Sequence, residues 1–411
     1  MQTHLAPEFL GTPDGEEAEA ILRKCVHCGF CTATCPTYQL LGDELDGPRG
    51  RIYLMKQVLE GETPTRSTQL HLDRCLTCRN CESTCPSGVE YGHLAEIGRE
   101  IVEQRVPRPP KERAVRWLLK QGLPSPLFQP AIRLGQALRP LLPQSLRDKV
   151  PLPAGARAHR WPTRQHRRKV LLLAGCVQPA MAPNINSATA RVLDAAGIQA
   201  VVAEKAGCCG AIRTHLNDRA AGLNDMRRNI DAWWPLVERA EVEAIVMNAS
   251  GCGAMVKDCG HALAQDPRYA AKAARIALLT KDLSELLPDV LPALKRRPLR
   301  PSFTTLAFHP PCTLQHGQQL RGVVEAGLRE LGFTVTLAAG ESHLCCGSAG
   351  TYSLLQPTLA TALRDRKLTQ LAATQAQAIV SANIGCIQHL QSGTRTPVRH
   401  WIEVMDESLS L

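Results

Sequence analysis

The residues most able to do chemistry in this chain are its cysteines, seventeen in 411 residues, grouped at repeating intervals. Cys25, Cys28, Cys31 and Cys35 form one run closed by Pro36, and Cys75, Cys78, Cys81 and Cys85 form a second closed by Pro86. Each cysteine of the second run stands 50 residues after its counterpart, and both runs read C-x2-C-x2-C-x3-C-P. The first 25 residues carry Glu8, Asp14, Glu16, Glu17 and Glu19 and no apolar segment, so no secretory signal is expected there. In such a chain an odd number of closely spaced cysteines argues for reduced thiolates that hold metal, not for disulfides. Four thiolates also suit tetrahedral zinc, but zinc sites pair two close cysteines with two remote ones. The longest apolar stretch, Val170 to Val177, has eight residues against the roughly 20 of a membrane span.

The spacing resembles that of two-cluster ferredoxins, in which three close thiolates hold one cube and the fourth reaches the other. The resemblance implies two [4Fe-4S] clusters. One takes Cys25, Cys28, Cys31 and Cys85, the other Cys75, Cys78, Cys81 and Cys35. The proline after each crossing cysteine fixes φ and turns the chain away. The 39 residues between the runs read as helical: Ile52, Met55, Val58 and Leu59 recur at helical spacing, and Gly61 stands where a C-terminal cap belongs. Leu94, Ile97 and Ile101 repeat the pattern after the second run. Residues 1–104 are therefore expected to form an α-helical ferredoxin domain. Arg49 and Arg51 are read either as hydrogen-bond donors toward cluster sulfur or as ordinary surface arginines, and His27 as no closer than an outer neighbour of the first cluster.

Composition changes in residues 105–168. From Arg105 to Lys169, sixteen Lys or Arg face only Glu112 and Asp148, and eleven prolines interrupt the segment. That is +14 of the chain's total of +10, leaving the rest at −4. Trp117-Leu118-Leu119 and Leu127-Phe128 alternate with these charges, which suits either a surface lying on anionic lipid or an acidic partner, or a solvated strap over the core. No nucleic-acid recognition fold accompanies the charge, so no nucleic-acid partner is expected.

The remainder is a second repeat. Cys176, Cys208, Cys209 and Cys252 are matched by Cys312, Cys345, Cys346 and Cys386. Each copy opens with an apolar strand ending at cysteine, continues through a helix such as 186–196, and brings further strands toward Gly207-Cys-Cys-Gly210 or Leu344-Cys-Cys-Gly347 and toward the last cysteine. Strands separated by helices imply a small parallel sheet, and loops at its carboxyl end can converge on one ligand. Gly210 and Gly347 are expected to let the backbone pass close to that ligand.

These units, 169–300 and 301–411, resemble the CCG domains of the heterodisulfide reductase family. The order ferredoxin, basic linker and two CCG units resembles the iron-sulfur subunits of glycolate oxidases. Those of anaerobic glycerol-3-phosphate dehydrogenases share the architecture. The fold class implied is multidomain, a helical two-cluster ferredoxin domain with two tandem α/β CCG domains. Each set of four CCG cysteines is a candidate ligand set for a further iron-sulfur cluster or zinc, or a thiol pair or structural group. CCG domains with non-cubane clusters usually end C-x-x-C, whereas Met255 and His389 occupy the last position here. Among His215, His309, His316, His343 and His389, the last is the first choice as a ligand. Cys259, without a counterpart, is expected to be a small buried apolar residue.

No G-x-G-x-x-G follows a strand-like segment and no Walker motif is present, so flavin and nicotinamide lack their usual phosphate cradle. Oxidation of a hydroxy acid needs a hydride acceptor, and iron-sulfur cubes take single electrons, so a flavin partner is required. The resemblance implies FAD-bearing glycolate oxidase subunits, electrons passing toward a membrane acceptor such as quinone, and a peripheral position on the cytoplasmic face of the inner membrane. The alternatives are an iron-sulfur subunit of an anaerobic glycerol-3-phosphate dehydrogenase and a heterodisulfide or quinone reductase acting at the CCG sites.

Overall fold

The structure is a computed structural model that describes residues 1–141, 143 and 158–409. The part of the basic segment at 142 and 144–157 lies outside the described residues, as do 410 and 411.

The N-terminal part is helical. Thr12 caps the helix Pro13–Lys24 by accepting from the Gly15 amide at 3.1 Å, and Pro13 takes the first position, where its missing N–H is harmless. The predicted helix between the runs is Pro48–Leu59, which buries Ile52, Met55, Val58 and Leu59 and ends at Gly61, whose φ is +101°. It crosses Tyr91–Arg105 closely: a Cβ on Gly98 would lie 2.5 Å from Met55 Sδ, so only glycine allows this approach. Pro36 begins the short helix Pro36–Leu41, which carries the chain away from Cys35.

Two parallel four-stranded sheets follow. The first has the order β2-β1-β3-β4, with β1 (Arg168–Leu172), β2 (Ile198–Val201), β3 (Ala244–Met247) and β4 (Thr280–Asp282). The second has the order β6-β5-β7-β8, with β5 (Thr305–His309), β6 (Thr334–Leu337), β7 (Ala378–Ser381) and β8 (Val398–His400). The edge strands β4 and β8 were not foreseen: each has three residues, too few for an alternating pattern. The expected helix is Asn184–Ala195.

The two units are one packed body. Leu172, Ile185 and Val192 of the first share a core with Leu306, Phe308, Val380 and Trp401 of the second. Arg191 donates to the buried Asp406 across this boundary at 2.9 Å, and the Ser250 amide donates to Ala382 O at 3.0 Å.

The basic segment also contains helices, Pro110–Gly122 and Phe128–Leu138. Its near end is tied to the protein: Arg108 and Arg116, both buried, meet Asp73 at 2.6 and 2.9 Å, and Lys120 meets Asp218 at 3.0 Å. Trp117, Leu118, Leu127, Leu134 and Leu141 remain exposed.

The helical part docks on both units. Against the first, His93 Nε2 lies 3.2 Å from Asp258, His261 Nε2 lies 2.9 Å from Glu17, and the two imidazoles stack at 4.0 Å. Burial pulls His93 down, but hydrogen bonding to Asp258 and its charge outweigh this and leave the imidazole above its ordinary value. Burial raises Asp258, yet His93 and Arg79 hold it below its usual range, and the hydrogen bond from His261 does the same for Glu17. The His93 contribution is complete below about pH 6.5 and is lost as pH rises through its raised value, while the carboxylate contributions are present above about pH 4 and fade below it. Between about pH 6 and pH 8.5 the stabilising share of the His93 pair should be lost, so the urea midpoint of the wild type should decline relative to that of His93→Gln, whatever the other histidines do in both proteins. A difference between wild type and variant that does not change with pH would contradict the assignment.

Candidate metal centres

The eight thiols of the two runs gather around two cavities. Cys25, Cys28, Cys31 and Cys85 line one cavity with Gly29, Ile52 and Val89. Cys35, Cys75, Cys78 and Cys81 line a second with Thr37, Arg51 and Leu76. Pro48, Cys81 and Tyr91 border both. The donors around the second cavity suit an anionic sulfur ligand set: the Thr77 amide donates to Cys75 Sγ at 3.4 Å and the Tyr91 hydroxyl to the same sulfur at 3.5 Å. Burial, reinforced by Cys25, pushes the Cys31 thiol up to about 11, and burial likewise raises Cys35 and Cys81. Without a metal these thiols stay protonated, so metal uptake releases protons. The first cavity opens to solvent at the exposed Cys28, flanked by exposed Val26 and Phe30.

The two arginines left open by the sequence part company. Arg49 pairs with Glu44 at 2.6 Å in a partly exposed position on the rim of the first cavity. Arg51 is 1% exposed in the wall of the second, donating to His71 O at 2.8 Å and Thr37 Oγ1 at 3.1 Å and facing the fully buried Asp46 at 3.4 Å. His27, exposed on the rim of the first cavity, lies 2.6 Å from Met1 Sδ.

Each CCG set collects at the carboxyl end of its sheet, around the point where strand order reverses. In the first unit the thiols of Cys176 and Cys209 neighbour Cys208 and, with the Gly210 amide and Arg213, hold it well below its ordinary value, while Cys252 neighbours Cys209. In the second, Cys345 has Cys312 and Cys346 as neighbours, and Cys386 neighbours Cys346. Cys78 of the helical part packs beside Cys312. Leu76 packs with Cys312, Cys345 and Tyr352, and the Tyr352 hydroxyl donates to Arg74 O at 3.1 Å. The second CCG set therefore lies directly against the second ferredoxin set, a contact between distant segments that no local pattern announces.

Gly210 and Gly347 have positive φ, +98° and +89°, and a Cβ there would meet Gly222 O at 2.7 Å and Ala360 O at 2.5 Å. On that side the close neighbour is the unit's own helix. His389 Nε2 bonds to Ala360 O at 3.1 Å, and its ring is not among the ligand atoms grouped with the unit's thiols. His215 and His316 are each pushed down to about 4, chiefly by burial. His316 bridges Ser83 Oγ at 2.8 Å and His343 O at 2.9 Å, so it joins the second unit to the ferredoxin run. His309 alone of these histidines has a ring nitrogen within 4.8 Å of two thiols, those of Cys346 and Cys386. Cys259 is 2% exposed in an apolar cluster, as expected.

Fold and thiol geometry together define an iron-sulfur protein with a dicluster helical domain and two cysteine-rich α/β units. Family comparison agrees: residues 21–89 match the 4Fe-4S dicluster domain, and 170–257 and 306–391 each match the Cysteine-rich domain. The chain is 55% identical over 410 residues to the glycolate oxidase iron-sulfur subunit of Escherichia coli (strain K12), covering 100% of this chain and 99% of that one. It is 31% identical over 416 residues to the probable glycolate oxidase iron-sulfur subunit of Bacillus subtilis (strain 168), covering 91% and 89%. Lactate utilization protein A of Bacillus velezensis is 27% identical over 226 residues, 54% of this chain and 90% of that one. The chain belongs to the family of glycolate oxidase iron-sulfur subunits.

Proposed function

We propose that this chain carries single electrons within a glycolate-oxidising complex, from FAD on partner subunits toward a membrane acceptor such as quinone. The observation that carries the reading is contiguity: the two ferredoxin cavities share Cys81 and Tyr91, and Cys78 of the second touches Cys312. Two [4Fe-4S] clusters, when bound, supply one-electron carriage. Cys25, Cys28, Cys31 and Cys85 hold the first and Cys75, Cys78, Cys81 and Cys35 the second. Cys176, Cys208, Cys209 and Cys252, and Cys312, Cys345, Cys346 and Cys386, are the ligand sets of two further iron-sulfur or zinc centres. Four parts correspond to these roles: 1–104, 105–168, 169–300 and 301–411.

The chain's own residues supply insulation and docking. Tyr91 and Leu76 exclude water between the sites, and Arg51 offsets the negative charge of the thiolates of Cys35 and Cys75. Exposed Val26 and Phe30 around Cys28 suit the docking of a flavoprotein. The exposed apolar residues of Pro110–Gly122 and Phe128–Leu138, set among basic charge, suit the cytoplasmic surface of the inner membrane. No helix among the described residues is long and apolar enough to cross a membrane.

Isolation from the native host under anaerobic conditions tests the reading. The chain should co-purify with an FAD protein, and its deletion should abolish glycolate-dependent quinone reduction by membranes. Quinone reduction that survives the deletion would overturn it.

A further inference from the structure

We propose that His309 is a ligand of the metal centre in the second CCG unit, beside Cys346 and Cys386, so that this centre combines imidazole with thiolate while that of the first unit is all sulfur. The inference rests on the reading that the CCG cysteines hold metal and adds a ligand to it.

Three observations converge. His309 closes strand β5 at the carboxyl end of the sheet, where Cys312, Cys345, Cys346 and Cys386 gather, and is 1% exposed. One ring nitrogen and the sulfurs of Cys346 and Cys386 lie within 4.8 Å of one another, close enough to share an ion. The Nε2 atom is buried without a hydrogen-bond partner. An unpaired buried polar atom is costly, and a metal ion bound to it would remove that cost. His389, at the last position of the C-x-x-C ending, is not grouped with these thiols: the ligand atoms that lie within 4.8 Å of one another are those of His309, Cys346 and Cys386.

The first unit lacks this donor. Aligning Cys176 with Cys312 places Leu173 opposite His309, and Leu173 is 3% exposed in an apolar cluster with Cys209. Imidazole with thiolate suits zinc, or iron within an iron-sulfur centre.

The test uses the full chain, isolated anaerobically, as wild type and as His309→Leu, His309→Cys and Cys346→Ser/Cys386→Ser. Iron and zinc are counted per chain. If the centre contains iron, pulsed paramagnetic resonance of the reduced protein reads nitrogen coupling; if zinc, absorption at the zinc edge reads imidazole scattering. The expected result is a nitrogen signature in wild type that disappears in both His309 variants. Metal at that site should be depleted at least twofold in His309→Leu and retained in His309→Cys. Metal that depends on Cys346 and Cys386, yet shows no nitrogen signature and is indifferent to His309→Leu, would overturn the inference and leave the wider reading standing. Metal counts unchanged by Cys346→Ser/Cys386→Ser would instead overturn the metal-site reading on which the inference rests.

Discussion

Replacing Arg51 with methionine should destabilise the helical domain by about 3–5 kcal/mol, the usual result of removing one partner from a buried ionic network. The guanidinium is 1% exposed, and Asp46, which it faces, is 0% exposed. Arg74 would remain 2.8 Å from Asp46 and His71 3.2 Å away, but the carbonyl of His71 and the hydroxyl of Thr37 would each lose a donor. Burial works against the Arg51 charge, but its surroundings, the buried Asp46 carboxylate among them, hold the guanidinium above its ordinary value, so it stays charged. Its removal should also make the cluster proposed at Cys35, Cys75, Cys78 and Cys81 harder to reduce. Arg51→Lys keeps the charge and loses the planar fork, so it should recover much of the potential and little of the stability. Anaerobic urea unfolding and a redox titration followed by paramagnetic resonance read the two effects. A stable Arg51→Met protein with an unchanged potential would contradict the part given to this residue.

The second large effect separates crossed from local ligation. If Cys85 completes the cluster of the first run, the double variant Cys25→Ser/Cys85→Ser damages one cluster, and iron should fall by about four per chain. If each run held its own cluster, the same double variant would damage both, and iron should fall by about eight. The pair Cys25→Ser/Cys35→Ser gives the opposite ordering and controls for general instability. The cavity lined by Cys25, Cys28, Cys31 and Cys85 is the structural reason to expect the smaller loss.

Much of this was legible because metal chemistry constrains spacing tightly. Thiols that share a cluster are close in sequence or carried there by a fixed turn, so the runs at Cys25–Cys35 and Cys75–Cys85 expose their role without any knowledge of the fold. The strands ending at Cys176 and Cys312 were legible for a related reason: buried parallel strands read as continuous apolar runs. What escaped depends on direction and on distant contacts. Five histidines lay near the cysteines, and only strand geometry turns His309 toward Cys346 while His389, in a former ligand position, turns to Ala360 O. Proline content made 105–168 look irregular, yet Pro110 and Pro130 stand in the first turns of their helices, where proline is tolerated. The contact of Cys78 with Cys312 joins residues more than two hundred positions apart, and no periodicity encodes it.

The electron-carrier role proposed for this chain rests most directly on whether electrons from glycolate reach it. Glycolate added anaerobically to the complex isolated from its native host, followed by rapid freezing and paramagnetic resonance, should produce signals of reduced iron-sulfur clusters as the flavin is reoxidised, and Cys25→Ser/Cys85→Ser should remove part of that signal. A flavin that glycolate reduces fully while every cluster stays oxidised would contradict the electron-carrier role.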